Sequence, residues 1–193
     1  AFCGGSESNV VTVTLTPDRQ KAIAGHLDRR EYISQSSCGI CGKQIVDELR
    51  LELRPVEKNI RMDINTGRKL LEKLEQLQPL RAQTRAAHAA TVFDAKFNLL
   101  SVAEDVGRHN ALDKATGKLF LEGKLDRASF LVLSSRISYE LVQKAARARI
   151  PIVFAMSRPT ALAVSLASEL NMTLVSLAKG VGVFVYCGRD RLF

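Results

Sequence analysis

A regular alternation of short apolar segments and helical segments in the second half of the chain constrains its fold most strongly. Residues 130–133 (FLVL) and 152–155 (IVFA) are apolar at every position, and helical segments follow them at about 138–149 and about 159–170. A strand that is apolar at every position is buried on both faces, as in parallel sheets that helices cover on both sides. This pattern therefore predicts the α/β class, as a layered sandwich with a mixed, partly parallel sheet.

The remaining segments fit the same class. Alternating residues on either side of DAKFN (94–98) predict a hairpin of strands at 91–93 and 99–103, and a helix at about 109–121 ends at Gly123. Further strands are predicted at 10–15, which Pro17 ends, at 173–177 and at 183–186, and further helices at about 65–77, with Asn65 or Thr66 as the cap, and from Pro79 to about 87.

The composition indicates one folded domain over residues 1–193. Hydrophobic residues make up 46 % of the chain, which is enough for a sizeable core. No apolar run approaches the roughly 18 to 20 residues that span a bilayer. The start, AFCGG, lacks a basic segment followed by an apolar one. We therefore expect a cytoplasmic protein without a signal peptide.

The formal net charge of +8 favours anionic partners, unless it marks only a well-solvated surface. Nucleic acid is not favoured among these partners, because the chain has no Trp, only 6 % aromatic residues and no basic segment interleaved with aromatics. A small molecule that carries phosphate is the partner class that the charge indicates best.

The motif CGICGK at residues 38–43 is the strongest chemical signal in the sequence. Cys38 and Cys41 are two residues apart, glycines flank them, and Lys43 favours the reactive thiolate form. The surrounding segment, 34–43, is small, polar and without periodicity, which predicts a flexible loop. Two such thiols can hand on a sulfur atom, act as a redox dithiol or serve as metal ligands.

The alternatives for this motif are not equally supported. A structural zinc site needs about four ligands, whereas Cys3 and Cys187 are isolated and the histidines show no ligand spacing. A zinc deaminase is excluded because no histidine has Glu two positions later, and Ser37 stands where the deaminase motif has proline. A thioredoxin-type dithiol stays open, although no clear strand precedes the motif and no clean helix follows it. Two inert cysteines stay open as well.

Polar, basic turns follow three of the predicted strands. They read GRHN (107–110), SSRIS (134–138) and MSRPT (156–160). Because open α/β sheets bind ligands at the carboxyl ends of their strands, we expect these turns to form one anion pocket. Each turn alone is equally consistent with an ordinary helix start, with Asp105 as the cap of the first. The candidate binding residues are Arg108, His109, Asn110, Arg136 and Ser157.

The segment LAKGVG at 177–182 is a further candidate. Its glycines beside Lys179 allow the backbone to approach a phosphate, but the segment also suits a plain turn between two strands.

In this order, the motifs resemble those of the formate dehydrogenase accessory sulfurtransferases of the FdhD family. The resemblance covers nearly all of the chain from about residue 10 onward. Members often have glycine where this chain has Ser135. The matching segments are CGICGK (38–43), FDAKFNLLSVAEDVGRHNALDK (93–114), SYELVQKAA (138–146), IPIV (150–153), RPTALAV (158–164) and TLVSLAK (173–179).

The resemblance implies a sulfur carrier and sulfurtransferase. Such proteins receive sulfur from a cysteine desulfurase as a persulfide. They pass it to the molybdenum or tungsten bis(molybdopterin guanine dinucleotide) cofactor, which then serves formate dehydrogenase. By the match, Cys38 bears the persulfide and Cys41 is its partner. The cofactor is then a bound substrate, and no permanently bound metal is expected.

The resemblance also implies a fold like that of the cytidine deaminases without their zinc, a homodimer, and the loss of part of the N-terminal strands that full-length members have. It places cofactor binding in the segment near the C-terminus, at Leu177, Ala178, Lys179, Gly180, Val181 and Gly182.

Overall fold

The computed structural model of the chain describes residues 13–27, 53–178 and 182–193. The chain divides into two compact units, residues 1–41 and residues 42–193. In the first unit the described residues are the segment 13–16, which has no regular secondary structure, and the helix α1 (Pro17–Leu27). Val13, Thr14 and Leu15 are not in a strand, so the predicted strand at 10–15 is wrong over these residues. Pro17 begins a helix here, a position that suits its fixed φ and missing N–H.

The second unit alternates helices and strands, and two single turns of 3₁₀ helix lie at Leu125–Arg127 and Arg189–Arg191. Its elements are α2 (Ile64–Gln76), α3 (Pro79–Thr84), β1 (His88–Phe93), β2 (Leu99–Asp105), α4 (Arg108–Leu121), β3 (Phe130–Leu133), α5 (Tyr139–Arg147), β4 (Ile152–Ala155), α6 (Ala161–Glu169), β5 (Thr173–Ala178) and β6 (Gly182–Cys187).

The six strands form one mixed sheet in the order β2-β1-β3-β4-β5-β6. The pairs β3–β4 and β4–β5 are parallel, and the pairs β1–β2, β1–β3 and β5–β6 are antiparallel. The predicted α/β class with a partly parallel sheet is therefore confirmed. Strands β2, β3, β4 and β5 all end at one edge of the sheet, which we call the carboxyl edge, and β1 and β6 begin there. The other edge is called the opposite edge.

Helices cover both faces of the sheet, as the uniformly apolar strands predict. Along β3, Leu131 and Leu133 belong to a core shared with α4, α5 and α6, whereas Phe130 and Val132 belong to a second core under α2. Helix α2 approaches the sheet closely: a Cβ atom on Gly67 would lie 2.2 Å from the ring of Phe154. Burial on both faces explains why these strands carry no polar residue.

Acidic side chains cap the starts of two helices, and the sequence pattern did not predict these caps. Asp63 caps α2 by accepting the N–H of Asn65 at 3.2 Å, so the predicted caps Asn65 and Thr66 are wrong. The carboxylate of Glu104 accepts the N–H groups of Leu80 at 2.8 Å and Arg81 at 2.9 Å, at the start of α3. Carboxylates at helix starts satisfy N–H groups that have no partner within the helix.

Most predicted bounds differ from the observed ones by one or two residues, as terminal turns usually do. Helix α5 ends at Arg147 rather than 149, and α6 runs over Ala161–Glu169 with Thr160 as its cap. Two bounds differ by three residues: α3 ends at Thr84 rather than near 87, and β1 begins at His88 rather than 91. The error at β1 matters because it places His88 at the carboxyl edge.

Candidate functional site

The topology confirms that the three polar turns meet at one edge. The turns after β2, β3 and β4 all leave the carboxyl edge, since these strands run in the same direction. The backbone N–H of Met156, after β4, donates to the carbonyl of Leu133 at 3.0 Å, and the N–H of Thr160 donates to the carbonyl of Ile137 at 3.0 Å. The turns after β3 and β4 are thus tied together.

Asp105 organises the turn between β2 and α4. Its carboxylate accepts the Gly107 N–H at 2.9 Å, the Lys114 ammonium at 2.8 Å and the Asn110 amide nitrogen at 3.2 Å. The hydrogen bond from Lys114, followed by that from Gly107, lowers the pKa of Asp105. The suggestion that Asp105 caps α4 is wrong, because Gly107 occupies the cap position. The NH₂ group of Asn110 binds Asp105, so this predicted ligand group also has a structural use.

His109 faces the start of the next helix. Its Nε2 lies 3.4 Å from the Ser138 hydroxyl and 3.7 Å from a carboxylate oxygen of Glu140. Burial and the charge of Arg108 lower the pKa of His109, and together they outweigh the opposing charge of Glu140. The imidazole is therefore neutral near pH 7, and its contact with Glu140 is then a polar contact rather than an ion pair.

Glu140 stays ionised beside this histidine. Burial acts to raise the pKa of Glu140, but hydrogen bonds from Ser138 and from its own N–H, together with the charges of His109 and Arg108, lower it overall. One carboxylate, one hydroxyl and one neutral imidazole therefore stand together at the junction of α4 and α5. Such a group can position a polar ligand and accept or donate a proton.

Arg108 and His88 lie next to this group. The Nε of Arg108 and the Nδ1 of His88 are buried and have no hydrogen-bond partner within residues 13–27, 53–178 and 182–193. His88 pairs with Asp105 across β1 and β2, and Arg108 follows that aspartate at the start of α4. Sequence reasoning missed His88 because it assigned the alanine-rich residues before 91 to a helix and a loop. The unusual position of a histidine just before an apolar run was the available signal.

The other predicted residues lie at the same edge without touching this group. Arg136 and Ser157 are exposed in the turns after β3 and β4. The buried hydroxyl of Ser135 donates to the carbonyl of Arg136 at 3.1 Å. The guanidinium of Arg158 lies 5.7 Å from the ring centre of Phe184, within cation–π range. The edge thus carries basic groups beyond the central cluster.

The predicted segment 177–182 is partly described. Leu177 is half-buried at the end of β5, and Ala178 pairs with Gly182 at the start of β6, so both strands reach the carboxyl edge. Gly182 has φ +131°, a conformation open mainly to glycine. Lys179, Gly180 and Val181 lie outside the described residues, as do Cys38 and Cys41 of the predicted sulfur site.

Two clefts are found at the opposite edge. One of about 430 Å³ is lined by Lys58, Asp126 and Arg149 among others, and one of about 510 Å³ is lined by Asp94, Asn98 and Ser129 among others. Sequence reasoning had not singled out these residues. The part of the chain that the structure describes contains no cluster of His, Cys, Asp and Glu able to hold a metal ion.

Cys187 is the cysteine whose surroundings the structure describes. It is half-buried in β6 and its thiol lies 3.4 Å from the carbonyl oxygen of Met172. Burial raises the pKa of Cys187, so the unreactive thiol form prevails near pH 7. This environment is the reverse of what a sulfur-carrying thiolate needs.

Comparison with known proteins decides the family. The sequence profile of the FdhD/NarQ family matches residues 5–193. The chain belongs to the FdhD/NarQ family. It is 40 % identical over 188 residues to the sulfur carrier protein FdhD of Xanthomonas axonopodis pv. citri (strain 306), covering 96 % of this chain and 66 % of that protein. It is 34 % identical over 192 residues to the sulfur carrier protein FdhD of Saccharolobus solfataricus (strain ATCC 35092 / DSM 1617 / JCM 11322 / P2), covering 97 % and 69 %.

A solved structure agrees with the FdhD/NarQ assignment. A crystal structure from Desulfotalea psychrophila, described as that of a candidate formate dehydrogenase accessory protein, superposes with a TM-score of 0.67 at 26 % identity. The match covers 76 % of this chain and 62 % of that one. The chain thus spans about two thirds of the length of these relatives. The likeness to cytidine deaminases stays a prediction.

Over the residues that the structure describes, no helix is both long enough and apolar enough to cross a bilayer.

Proposed function

We propose that this FdhD/NarQ protein is a sulfur carrier that passes persulfide sulfur from a cysteine desulfurase to the molybdenum or tungsten bis(molybdopterin guanine dinucleotide) cofactor of formate dehydrogenase. The observation that carries the proposal is the match over residues 5–193 to the family whose curated members bear the name sulfur carrier protein FdhD. The chain also keeps the CGICGK motif at 38–43.

The chemistry of the thiol pair supports this role. In the first step the Cys38 thiolate attacks the outer sulfur of the persulfide on the desulfurase. The S–S bond of that persulfide breaks, the desulfurase cysteine leaves as a thiolate, and Cys38 now bears the persulfide. No electrons are gained or lost overall, so the step needs no further reactant. Lys43 favours the attacking thiolate.

The carboxyl edge supports the nucleotide part of the proposal. Arg108, Arg136 and Arg158 stand at the ends of β2, β3 and β4, where α/β sheets bind ligands. Guanidinium groups suit the phosphates of a guanine dinucleotide. The segment 177–182 joins β5 and β6 at this same edge, which supports its assignment to the cofactor site.

Intact-mass spectrometry after incubation with a cysteine desulfurase and cysteine tests the sulfur-carrier function. We expect the protein to gain the mass of one sulfur atom, and a thiol reductant to remove it. Cys38→Ala abolishes the gain, whereas Cys187→Ala is the matched control, because it removes a buried thiol of raised pKa and leaves the gain intact.

Other outcomes of this experiment contradict the proposal. A loss of two hydrogens without a sulfur gain, together with activity on a generic disulfide, indicates a thiol–disulfide oxidoreductase. The absence of any modification, with formate dehydrogenase maturation surviving Cys38→Ala, indicates a chaperone that binds and delivers the cofactor without sulfur chemistry. Sulfur on Cys187 instead of Cys38 overturns the site assignment.

The proposal extends to partners and assembly. A cysteine desulfurase and formate dehydrogenase are the proposed protein partners, and a homodimer in the cytoplasm is the proposed form. Each follows from the family resemblance, and sedimentation and pull-down with purified partners test them directly.

A further inference from the structure

Two unpartnered nitrogen atoms mark a point at the carboxyl edge. The Nε of Arg108 and the Nδ1 of His88 are buried and have no hydrogen-bond partner among the described residues. A buried polar group that is left without a hydrogen-bond partner destabilises the fold. One of these atoms lies at the start of β1 and the other at the start of α4, at the same end of the sheet, which suggests that a ligand supplies the missing partners.

The two side chains lie close enough to act on one ligand. Cross-strand pairing sets His88 opposite Asp105, and Arg108 begins the helix that follows this aspartate. Burial lowers the pKa of His88 most, and the positive charges of Arg108 and then Arg81 lower it further. The charge of the Arg108 guanidinium therefore reaches the imidazole of His88.

The carboxylates of this region are committed elsewhere. Asp105 binds Lys114, the carboxylate of Glu104 accepts two N–H groups of α3, and Glu140 lies against His109 and Ser138. Arg108 acts on Glu140 through its charge, which lowers the pKa of that carboxyl, but the buried Nε of Arg108 and Nδ1 of His88 accept or donate no hydrogen bond among the described residues. The region therefore presents donors and positive charge together, which selects an anion rather than a cation or an apolar group.

We propose that His88 and Arg108 jointly bind one phosphate group of the nucleotide, which makes His88 a further binding residue of the site. The identity of the nucleotide rests on the proposed function, whereas the phosphate class follows from the two donors themselves. A phosphate oxygen accepts from the Arg108 guanidinium and from the protonated His88 ring. The phosphate charge favours that protonated form, so binding takes up a proton.

Calorimetric titration of the full chain with guanosine diphosphate tests this inference. We expect His88→Gln to weaken binding by about threefold to tenfold, and Arg108→Gln by about tenfold or more, as for lost charge-assisted hydrogen bonds. Lys118→Gln is the matched control for Arg108, because it removes the same charge from the exposed last turn of the same helix. It should change binding by less than about twofold. Titrations in buffers of different ionisation enthalpy should show proton uptake that His88→Gln reduces.

The nucleoside and inorganic probes separate this inference from the proposed function. Guanosine, which lacks phosphate, should bind the wild type and His88→Gln alike. If pyrophosphate binds in a way that depends on His88 and guanosine diphosphate does not bind, the phosphate site at His88 and Arg108 is supported and the nucleotide as ligand is contradicted. Sulfur loading of Cys38 with unchanged nucleotide binding in His88→Gln contradicts the subsite alone. No binding of either phosphate probe also overturns it.

A direct readout on the wild type covers the case in which the variants fail to fold. Nitrogen NMR of the His88 ring should show both ring nitrogens protonated once guanosine diphosphate is bound near pH 7. An imidazole that stays neutral and unshifted at saturation would falsify the inference without any substitution.

Discussion

The two edges of the sheet differ in how particular charged side chains find partners. The difference is not complete, because Asp105 is well hydrogen-bonded at the carboxyl edge and the Nη1 of the buried Arg191, after β6, has no partner among the described residues. At the opposite edge, Asp94 accepts hydrogen bonds from the backbone of Lys96 and Asn98, from the Asn98 side chain and from Arg127. Lys58 donates to the carbonyls of Asp126 at 2.8 Å and Ala128 at 2.5 Å. At the carboxyl edge, by contrast, buried nitrogens of Arg108 and His88 have no partner in the described chain.

The ligand site proposed above and the two clefts at the opposite edge therefore lie at different ends of the sheet. The clefts of about 430 and 510 Å³ lie at the opposite edge, where Asp94 and Lys58 are already satisfied by the protein itself. Buried charged or polar groups that have hydrogen-bond partners within the protein hold loops in place. Buried groups that lack such partners lower the stability of the fold, and a bound ligand can offset that loss. The following predictions test this division of roles.

The largest effect is expected from Asp94→Ala at the opposite edge. The carboxylate, whose residue is only 7 % exposed, holds the hairpin turn between β1 and β2 and anchors Arg127. Its removal leaves several donors unpaired, so the free energy of unfolding should fall by about 2–3 kcal/mol. Urea unfolding measures this loss. Affinity for guanosine diphosphate should stay within about twofold, and a large loss of affinity in a folded variant would contradict the division.

A smaller loss is expected from Lys58→Met at the same edge. The substitution keeps much of the aliphatic length but removes the ammonium that binds two carbonyl oxygens before β3. Burial lowers the pKa of Lys58, which offsets part of the gain from these bonds. We expect a loss of about 1–2 kcal/mol by the same unfolding measurement. Arg108→Gln should leave the free energy of unfolding unchanged or raise it. A larger loss of stability in Arg108→Gln than in Lys58→Met would contradict the proposed difference between the two edges.

The two edges should also lose stability in different pH ranges. The folded-state pKa values of His88 and His109 lie below the ordinary 6.5, mainly because of burial, so the unfolded chain binds more protons around that pH. Stability contributed by these neutral histidines is present above pH 6.5 and falls as the pH drops toward their folded pKa values.

Asp94 behaves differently on acidification. Burial acts to raise its pKa, but its hydrogen bonds with Asn98, Lys96 and Arg127 lower the pKa overall below the ordinary 3.8. Its contribution is therefore present above pH 3.8 and lost only as the pH falls through its folded pKa. Melting temperatures measured across this pH range show both losses of stability. Substituting His88 and His109 by Gln should remove the loss below pH 6.5 and leave the loss below pH 3.8. A loss below pH 6.5 that survives in this double variant would contradict the assignment to the histidines.

The smallest effect is expected from Glu140→Gln. The charge of Glu140 raises the pKa of His109, so its loss should lower that pKa further while the melting temperature changes little. A proton NMR titration of the His109 ring follows the pKa. The control is Asp113→Asn, which lies on the exposed side of α4 and pairs with Lys144. A raised His109 pKa in Glu140→Gln would show that the two groups do not interact as described.

Sequence reasoning predicted the strands that are buried on both faces most accurately. The bounds of Phe130–Leu133 and Ile152–Ala155 are confirmed to the residue, because continuous apolar runs between turns admit few other structures. The convergence of the polar turns at one edge followed from this parallel pattern.

Two of the failures share a physical cause, which is that tertiary contacts overrode local preference. Ala89 and Ala90 favour a helix locally, yet they lie in β1 because sheet pairing with β2 and β3 decides their conformation. His88 was missed for that reason. The capping of α3 by Glu104 links residues that are far apart in sequence, so no local sequence pattern predicts it. The proposed sulfur site at Cys38 and Cys41 lies outside the described residues and stays a prediction.

A crystal structure of the full chain with guanosine diphosphate tests the central claim most directly. The account predicts density for the phosphates at the carboxyl edge, with one phosphate oxygen within hydrogen-bond distance of both Arg108 and His88. Density for the nucleotide in the cleft lined by Lys58 and Arg149 at the opposite edge, with Arg108 still unpartnered, would contradict it.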